Sequence, residues 1–278
     1  MTPLGPESQF QNDPPGVAVG EGGAWVLTST LIHFDVDDAS LVERITVSPV
    51  PVNSFAVGFR TVWVGGPPGI VRIDPIDGDP LPPVRLYPPE TDLYNQRPQI
   101  ALGEASAWAV TGDGELSRVD PTNGRRTEVV DVGESATSLA VGFEAVWVTD
   151  ELQGTLTRVD PETLRIVGDP IQIGGSLDAI EAGAKAVWIL DKGAGIVTPI
   201  DPASGSVGSP IRVGVDPIDL AAGLDAPWVA NLEDGTISRI DSGTRLVETI
   251  SIGSPVAAIA VDESSESLWI VIARRPPG

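Results

Sequence analysis

The sequence holds no cysteine, one histidine, one methionine and two lysines, Lys185 and Lys192. Without cysteine there can be no disulfide, thiolate metal site or thiol nucleophile, and the compartment is left undecided. Cations are scarce: 17 Lys and Arg stand against 39 Asp and Glu, a net charge of −22. Such a field repels phosphate backbones and anionic membrane surfaces, so nucleic acid is excluded as a partner and no membrane contact is expected of this segment. Acidity also keeps a large β protein soluble and blunts edge pairing. Long apolar runs are missing too. None approaches the ~18 residues of a membrane span, and MTPLGPESQFQNDPPG has neither the basic nor the apolar part of a signal peptide.

Glycine and proline are plentiful, 31 and 26 residues, and they punctuate apolar runs at regular places where turns need them. The regularity is a repeat. Trp25, Trp63, Trp108, Trp147, Trp188, Trp228 and Trp269 follow one another at intervals of 38, 45, 39, 41, 40 and 41 residues. Gly20, Gly58, Gly103, Gly142, Gly183 and Gly223 each precede their Trp by five. An apolar strand, a glycine turn and a Trp strand make a hairpin. A third strand follows, ending in VRIDP, SRVDP, TRVDP, TPIDP or SRIDS, with Asp74, Asp120, Asp160, Asp201 and Asp241 at the corner. There Asp accepts a hydrogen bond from the backbone two residues on, Pro presets φ, and Gly78, Gly124 and Gly205 supply a positive φ before the fourth strand.

Four short strands per forty residues is the pattern of a propeller blade, and no stretch keeps helical apolar spacing over three turns. The expected fold is all-β: one β-propeller domain, 1–278, of four-stranded antiparallel blades. Seven blades are expected, six with a redundant C-terminal hairpin being the alternative. Residues 7–11, aligned with a fourth strand, are expected to close the last blade, with 1–6 and 274–278 as tails.

SLAVGFEAVWVTDELQGTLTRVDPETL and its parallels AIEAGAKAVWILDKGAGIVTPIDPASG and LAAGLDAPWVANLEDGTISRIDS resemble bacterial YVTN-type propeller repeats, related to the streptogramin B lyase-like and NHL-like propellers. The resemblance covers nearly the whole chain. It implies an architecture and an extracytoplasmic, bacterial setting, including sensor domains of receptor kinases; it implies no single ligand. The lyase branch carries a metal-assisted elimination that needs a catalytic histidine and acidic metal ligands on the central face. His33, in LIHFD on a third strand, does not match that role and reads as structural.

Within the repeat, the Trp set reads as wedge-filling core. Arg72, Arg118, Arg158 and Arg239, two residues before the corner Asp, read as packing or local ion pairs. Function is expected where the units differ. Loops joining strands two and three, and blade to blade, converge on one face. There Asp113, Asp150, Asp178, Asp191, Asp216 and Asn231 offer oxygen ligands of the kind Ca²⁺ or Mg²⁺ prefers, although no cofactor is required by the fold. The largest departure, LYPPETDLYNQRPQ, carries Tyr87, Asp92, Tyr94, Asn95 and Arg97 on a long loop, the mix favoured at recognition surfaces. The expected function is non-catalytic binding or sensing of a protein or small molecule by a monomer, with a metal-dependent lyase- or lactonase-like enzyme as the alternative.

Overall fold

The computed structural model describes residues 16–28, 30–47, 54–66, 69–87 and 98–273. They form six four-stranded antiparallel sheets and one two-stranded sheet, each a meander in sequence order. Blades one to six span residues 16–45, 54–85, 99–131, 136–172, 179–212 and 217–251, and a hairpin occupies 256–272. No helix occurs among them, so none is long and apolar enough to cross a membrane.

The first strands contact one another in a closed cycle, the hairpin's Val256–Asp262 lying between Pro217–Gly223 of blade six and Gly16–Gly20 of blade one. An apolar wedge fills each junction. Trp147, Leu156, Ile180 and Ile189 join blades four and five. Trp269 and Val271 pack on Ala24, Val26, Ile32 and Phe34 to join the hairpin to blade one. Thus the blade count corrects the expectation. Among the described residues there are six four-stranded blades, not seven, and two strands stand in the last sector of the ring. Counting tryptophans counts second strands, which is why Trp269 suggested a further blade. The closing strand expected at 7–11 lies outside the described residues.

The glycine five residues before each Trp is not there for the turn itself. The turn residues proper in blades two to six are non-glycine pairs at positive φ, such as Phe59 (55°) and Arg60 (54°) or Phe143 (57°) and Glu144 (56°). The glycine ends the first strand, where a Cβ would collide with the next blade: 2.5 Å from Val141 Cγ1 at Gly103, and 2.6 Å from Val261 Cγ1 at Gly223. Its carbonyl accepts the indole N–H, at 3.1 Å for Trp63, Trp108, Trp147 and Trp228 and 2.9 Å for Trp188. One residue therefore serves close approach and a buried hydrogen bond together.

The Asp corners are built as expected. The amides of Ile76, Thr122 and Glu162 donate to the carboxylates of Asp74, Asp120 and Asp160 two residues back. Such backbone hydrogen bonds hold Asp120, Asp160, Asp201 and Asp241 below the usual carboxylate range. The residue four after the Asp is left-handed: Gly78 (72°), Gly124 (72°) and Gly205 (71°), but Ala39, Leu164 and Arg245 in the other blades.

Across each blade runs a row on one face. The residue opposite Trp on the first strand is Ala18, Ala56, Ala101, Ala140, Ala221 or Ala260, with Glu181 in blade five. The residue opposite Trp on the third strand is Arg72, Arg118, Arg158 or Arg239, with His33 in blade one and Pro199 in blade five. The arginines lie over the Trp rings at 4.9 to 5.9 Å, a cation–π arrangement. His33 stacks flat on Trp25, with centroids 3.8 Å apart and planes at 7°. In blade five Arg245, from the turn of blade six, covers Trp188 at 4.9 Å in place of the missing arginine.

His33 is buried, and its Nδ1 has no hydrogen-bond partner among the described residues. Burial lowers its pKa from 6.5 against the opposing charges of Glu43 and Asp35. A base whose folded pKa is depressed contributes stability above pH 6.5 that is lost as pH falls. We expect His33→Gln to lose less stability than the parent between pH 7 and pH 5, measured by thermal unfolding at each pH. Equal losses would mean that His33 does not couple to folding.

Candidate functional site

Blade five departs from the row at both neighbours of its Trp, and one departure is a carboxylate. Glu181 lies on the first strand (Ala179–Gly183), opposite Trp188. It shares the blade face on which Trp188 and Leu190 meet Leu220 and Ala222 of blade six. The side chain is partly exposed, and its carboxyl oxygens are not among the fully buried, unpartnered polar atoms of the described residues. Burial pushes that carboxyl up to about 8, and the charge of Asp219 adds to the shift. Among the described residues it forms no ion pair and is in none of the hydrogen bonds of the blade five–six junction.

Asp219 is a different case. A register shift between Pro217 and Asp219 sets it on the first strand of blade six. Its Oδ2 accepts the amide of Ile259 in the hairpin at 2.9 Å, and its Oδ1 that of Leu220 at 3.0 Å. Ser54 ties blade two to blade three in the same way, its Oγ accepting the amide of Ile100 at 2.9 Å. Asp219 is thus an interblade tether. Burial raises it to about 6, opposed by those two amides and by the charge of Lys192.

Of the acidic loop residues expected to bind a metal, Asp113 and Asp150 close their own loops, and Asp178 and Asp191 tie the loop entering blade five to the loop between its second and third strands. Asp113 accepts the hydroxyl of Thr111. Asp150 is buried and accepts the amide of Gln153 at 2.9 Å. Asp191 accepts the amides of Ala194 at 2.7 Å and Ser176 at 3.1 Å, and Asp178 that of Lys192 at 2.8 Å. Asp216 has φ 54° and its carbonyl accepts the amide of Leu232. Asn231 is fully buried, donating to Thr236 and Ser238 at 3.0 Å each. The loops do share one face, as amides such as those of Val132, Val213 and Ile252 donate to Gly114, Gly195 and Gly235. Their carboxylates stay apart, however: among the described residues no three His, Asp or Glu come together to hold a metal ion. The donor set does not fit the metal implied by the family resemblance, and no chemical step is routed through one.

Of the residues expected on the long recognition loop, Asp92, Tyr94, Asn95 and Arg97 lie outside the described residues. Tyr87 is buried at the root of that loop, packed among Trp63, Leu86 and Ile100. Its hydroxyl has no hydrogen-bond partner among the described residues, and burial, with the nearby charge of Asp113, pushes its pKa well above the usual range.

Sequence reasoning passed over Glu181, although the signal was present. Seven residues before Trp, the repeats carry Ala18, Ala56, Ala101, Ala140 and Ala221, and here Glu181. Attention to the irregular loops left the regular strands unread.

Among solved structures, the chain is similar to virginiamycin B lyase from Staphylococcus aureus, with a TM-score of 0.74 and 18% identity over 94% of this chain and 92% of that one. It is similar also to a streptogramin B lyase structure, with a TM-score of 0.76 and 16% identity over 96% and 92%. No family model matches the sequence, and no curated protein matches it. At these identities the shared property is the propeller fold.

Proposed function

We propose that this ring is a non-catalytic binding or sensing propeller that receives its ligand at the inner ends of blades five and six, with Glu181 as the recognising group. One observation carries the reading. Six sectors place alanine opposite Trp and one places a partly exposed carboxylate, which forms no ion pair among the described residues. Withdrawing a carboxylate from water without donors or a counter-charge is costly. A residue kept at that cost, where alanine serves the fold elsewhere, is kept for something other than the fold.

The test needs no ligand. Glu181→Ala restores the residue used in the other sectors and is expected to stabilise the protein at pH values where the carboxyl would be charged, since its surroundings disfavour the charged form. The sign follows from the raised pKa. Glu181 makes the parent lose stability as pH rises from about 4.5 through about 8, a contribution the alanine variant lacks, so the gain should grow across that window. Urea unfolding of both proteins at pH 5 and pH 8.5 measures it. A variant less stable than the parent at both values would show that Glu181 serves the fold.

A lyase-like reading is favoured by the same carboxyl. Held near neutrality, it suits a general base that takes a C–H proton while the leaving group departs with its electron pair. The two similar solved structures are lyases by name. Under that reading Glu181→Gln abolishes turnover and leaves substrate binding in place.

A further inference from the structure

We infer that the outer edge of the hairpin strand Ser267–Ile272 is the docking surface for the chain's own residues 7–11, which add to it as a parallel strand in the place that a third strand holds elsewhere in the ring. The inference concerns the last sector alone and does not depend on the reading of Glu181.

Each blade covers its Trp strand with two further strands, whereas Val256–Asp262 and Ser267–Ile272 stand alone among the described residues. Second strands such as Gly23–Leu27, Ser106–Val110 and Val146–Asp150 are buried throughout, but Ser267–Ile272 is only partly buried and its Ile272 is exposed. Its inner edge pairs with Val256–Asp262, and among the described residues no strand pairs with its outer edge. The neighbouring blades wall this edge on both sides. Leu268 and Ile270 cluster with Ile237 and Ile250, from the third and fourth strands of blade six. Trp269 and Val271 cluster with Ile32 and Phe34, from the third strand of blade one. Together they make a slot with apolar walls and a floor of backbone donors and acceptors, a template for one more strand.

The shape of the slot selects an extended chain. Blades one and six continue outward by two strands beyond the level of Ser267–Ile272, about 10 Å at the usual strand spacing. The edge of a second ring cannot reach that floor, but a single extended segment can. The residues leading into blade one start from the right place. Gly16–Gly20 lies against both strands of the hairpin, and around the rest of the ring the strand before each first strand belongs to the sector behind it. Residues 7–11 leave a link, 12–15, of the same length as the links 132–135, 213–216 and 252–255 at three other junctions. Phe10 also stands as far before Trp25 as Ile173 does before Trp188, and Ile173 packs into the junction of blades four and five. By that alignment Phe10 seats beside Trp269 and Phe34. A segment tethered by a short link has an effective concentration of about millimolar, which favours it over the same segment of a second copy.

Direction follows from the order of strands. A segment that enters the first strand of blade one through a short link runs opposite to it. Ser267–Ile272 likewise runs opposite to its own first strand, and the first strands share one direction because every sector begins with the same hairpin. Residues 7–11 and Ser267–Ile272 therefore run the same way, with no described strand between them to reverse the sense. Parallel pairing is slightly weaker per residue than antiparallel, and Glu7, Ser8, Gln9 and Gln11 are polar. Phe10 is thus the main apolar anchor of the segment.

The chain has no cysteine, so an introduced pair reports on one contact. In the intact chain, Gln11→Cys with Ile272→Cys joins the ends that a parallel pair brings together, and Glu7→Cys with Ile272→Cys the ends that an antiparallel pair would. Mild oxidation is followed by non-reducing electrophoresis and peptide mass spectrometry. We expect the first pair to cross-link within one chain at least tenfold faster than the second, and Phe10→Asp to abolish that advantage. Hydrogen exchange gives a reading free of introduced cysteines. Phe10→Asp in the parent should speed exchange of the 267–272 amides by about tenfold or more and leave that of the 61–66 amides unchanged. A second pair that reacts as fast as the first would overturn the parallel assignment. Cross-links between chains would put the segment of a second copy in the slot. No cross-link in either pair, or equal exchange in the parent and Phe10→Asp, would show that residues 7–11 do not dock there. Each of these results overturns the inference.

Discussion

Trp147→Ala is expected to destabilise the protein by about 3–5 kcal/mol, the usual range for deleting a large aromatic side chain from a core. The indole is fully buried and donates to the Gly142 carbonyl at 3.1 Å. It packs against Leu156 in its own blade and Leu177, Ile180 and Val187 toward the next, so its loss opens a cavity at a junction rather than within one sheet. Arg158, 5.3 Å above the ring, would lose its platform as well. Trp269 provides the internal comparison. It is only partly buried and its Nε1 has no acceptor among the described residues, so Trp269→Ala should cost less. Urea unfolding curves give both values. A Trp147→Ala loss below that of Trp269→Ala would mean that the junction cores do not carry the stability of the ring.

The second large effect is expected at Arg72. This guanidinium is almost wholly buried, donates to the carbonyls of Pro121 at 2.9 Å and Thr122 at 3.3 Å in blade three, and lies 4.9 Å over Trp63. Burial depresses its pKa, with Asp120 opposing, so it is held at a cost that those contacts offset. Charged hydrogen bonds contribute about 1.5–3 kcal/mol and a desolvated cation–π contact up to about 2. Arg72→Met, which keeps much of the volume, should lose about 2–4 kcal/mol. Arg118 occupies the same row position but is one-third exposed and meets Glu128 at 3.9 Å; Arg118→Met should cost under about 1 kcal/mol. Equal losses at the two sites, again by urea unfolding, would remove the distinction between an interblade clasp and a surface pair.

Much of this fold was legible because the ring asks the same thing of each unit. Trp, Gly and Asp-Pro recur since each sector has the same wedge to fill, the same close approach and the same corner to turn. Their reasons were less legible than their positions. The glycine could be assigned to a turn from sequence, yet it is the neighbouring blade, some forty residues away, that excludes a Cβ. The arginines looked local and are not: Arg72 and Arg158 reach the following blade, at Pro121 and Pro202. The site divides in the same way. Glu181 could have been found by aligning strands, since it breaks a run of alanines. Asp219's bond to Ile259 spans a junction that only the folded ring creates. The loop carboxylates were conspicuous in sequence for a local cause, as most of them accept nearby backbone amides.

The left-handed corner residue has a consequence for how the ring could be taken apart. At Gly124 a Cβ would lie 2.5 Å from the Arg72 guanidinium of the preceding blade, so the donor of the cation sits behind and the receiving corner stays bare. Between blades five and six the roles are exchanged: Pro199 leaves the indole of Trp188 uncovered, and Arg245 at the corner covers it from in front. A graft of blade five alone into another ring would carry an aromatic without its lid, and a graft of blade six alone would carry a lid with nothing to cover. For this part of the ring, the smallest piece that keeps the aromatic of blade five and its lid together, from Ala179 to Ser251, is a pair.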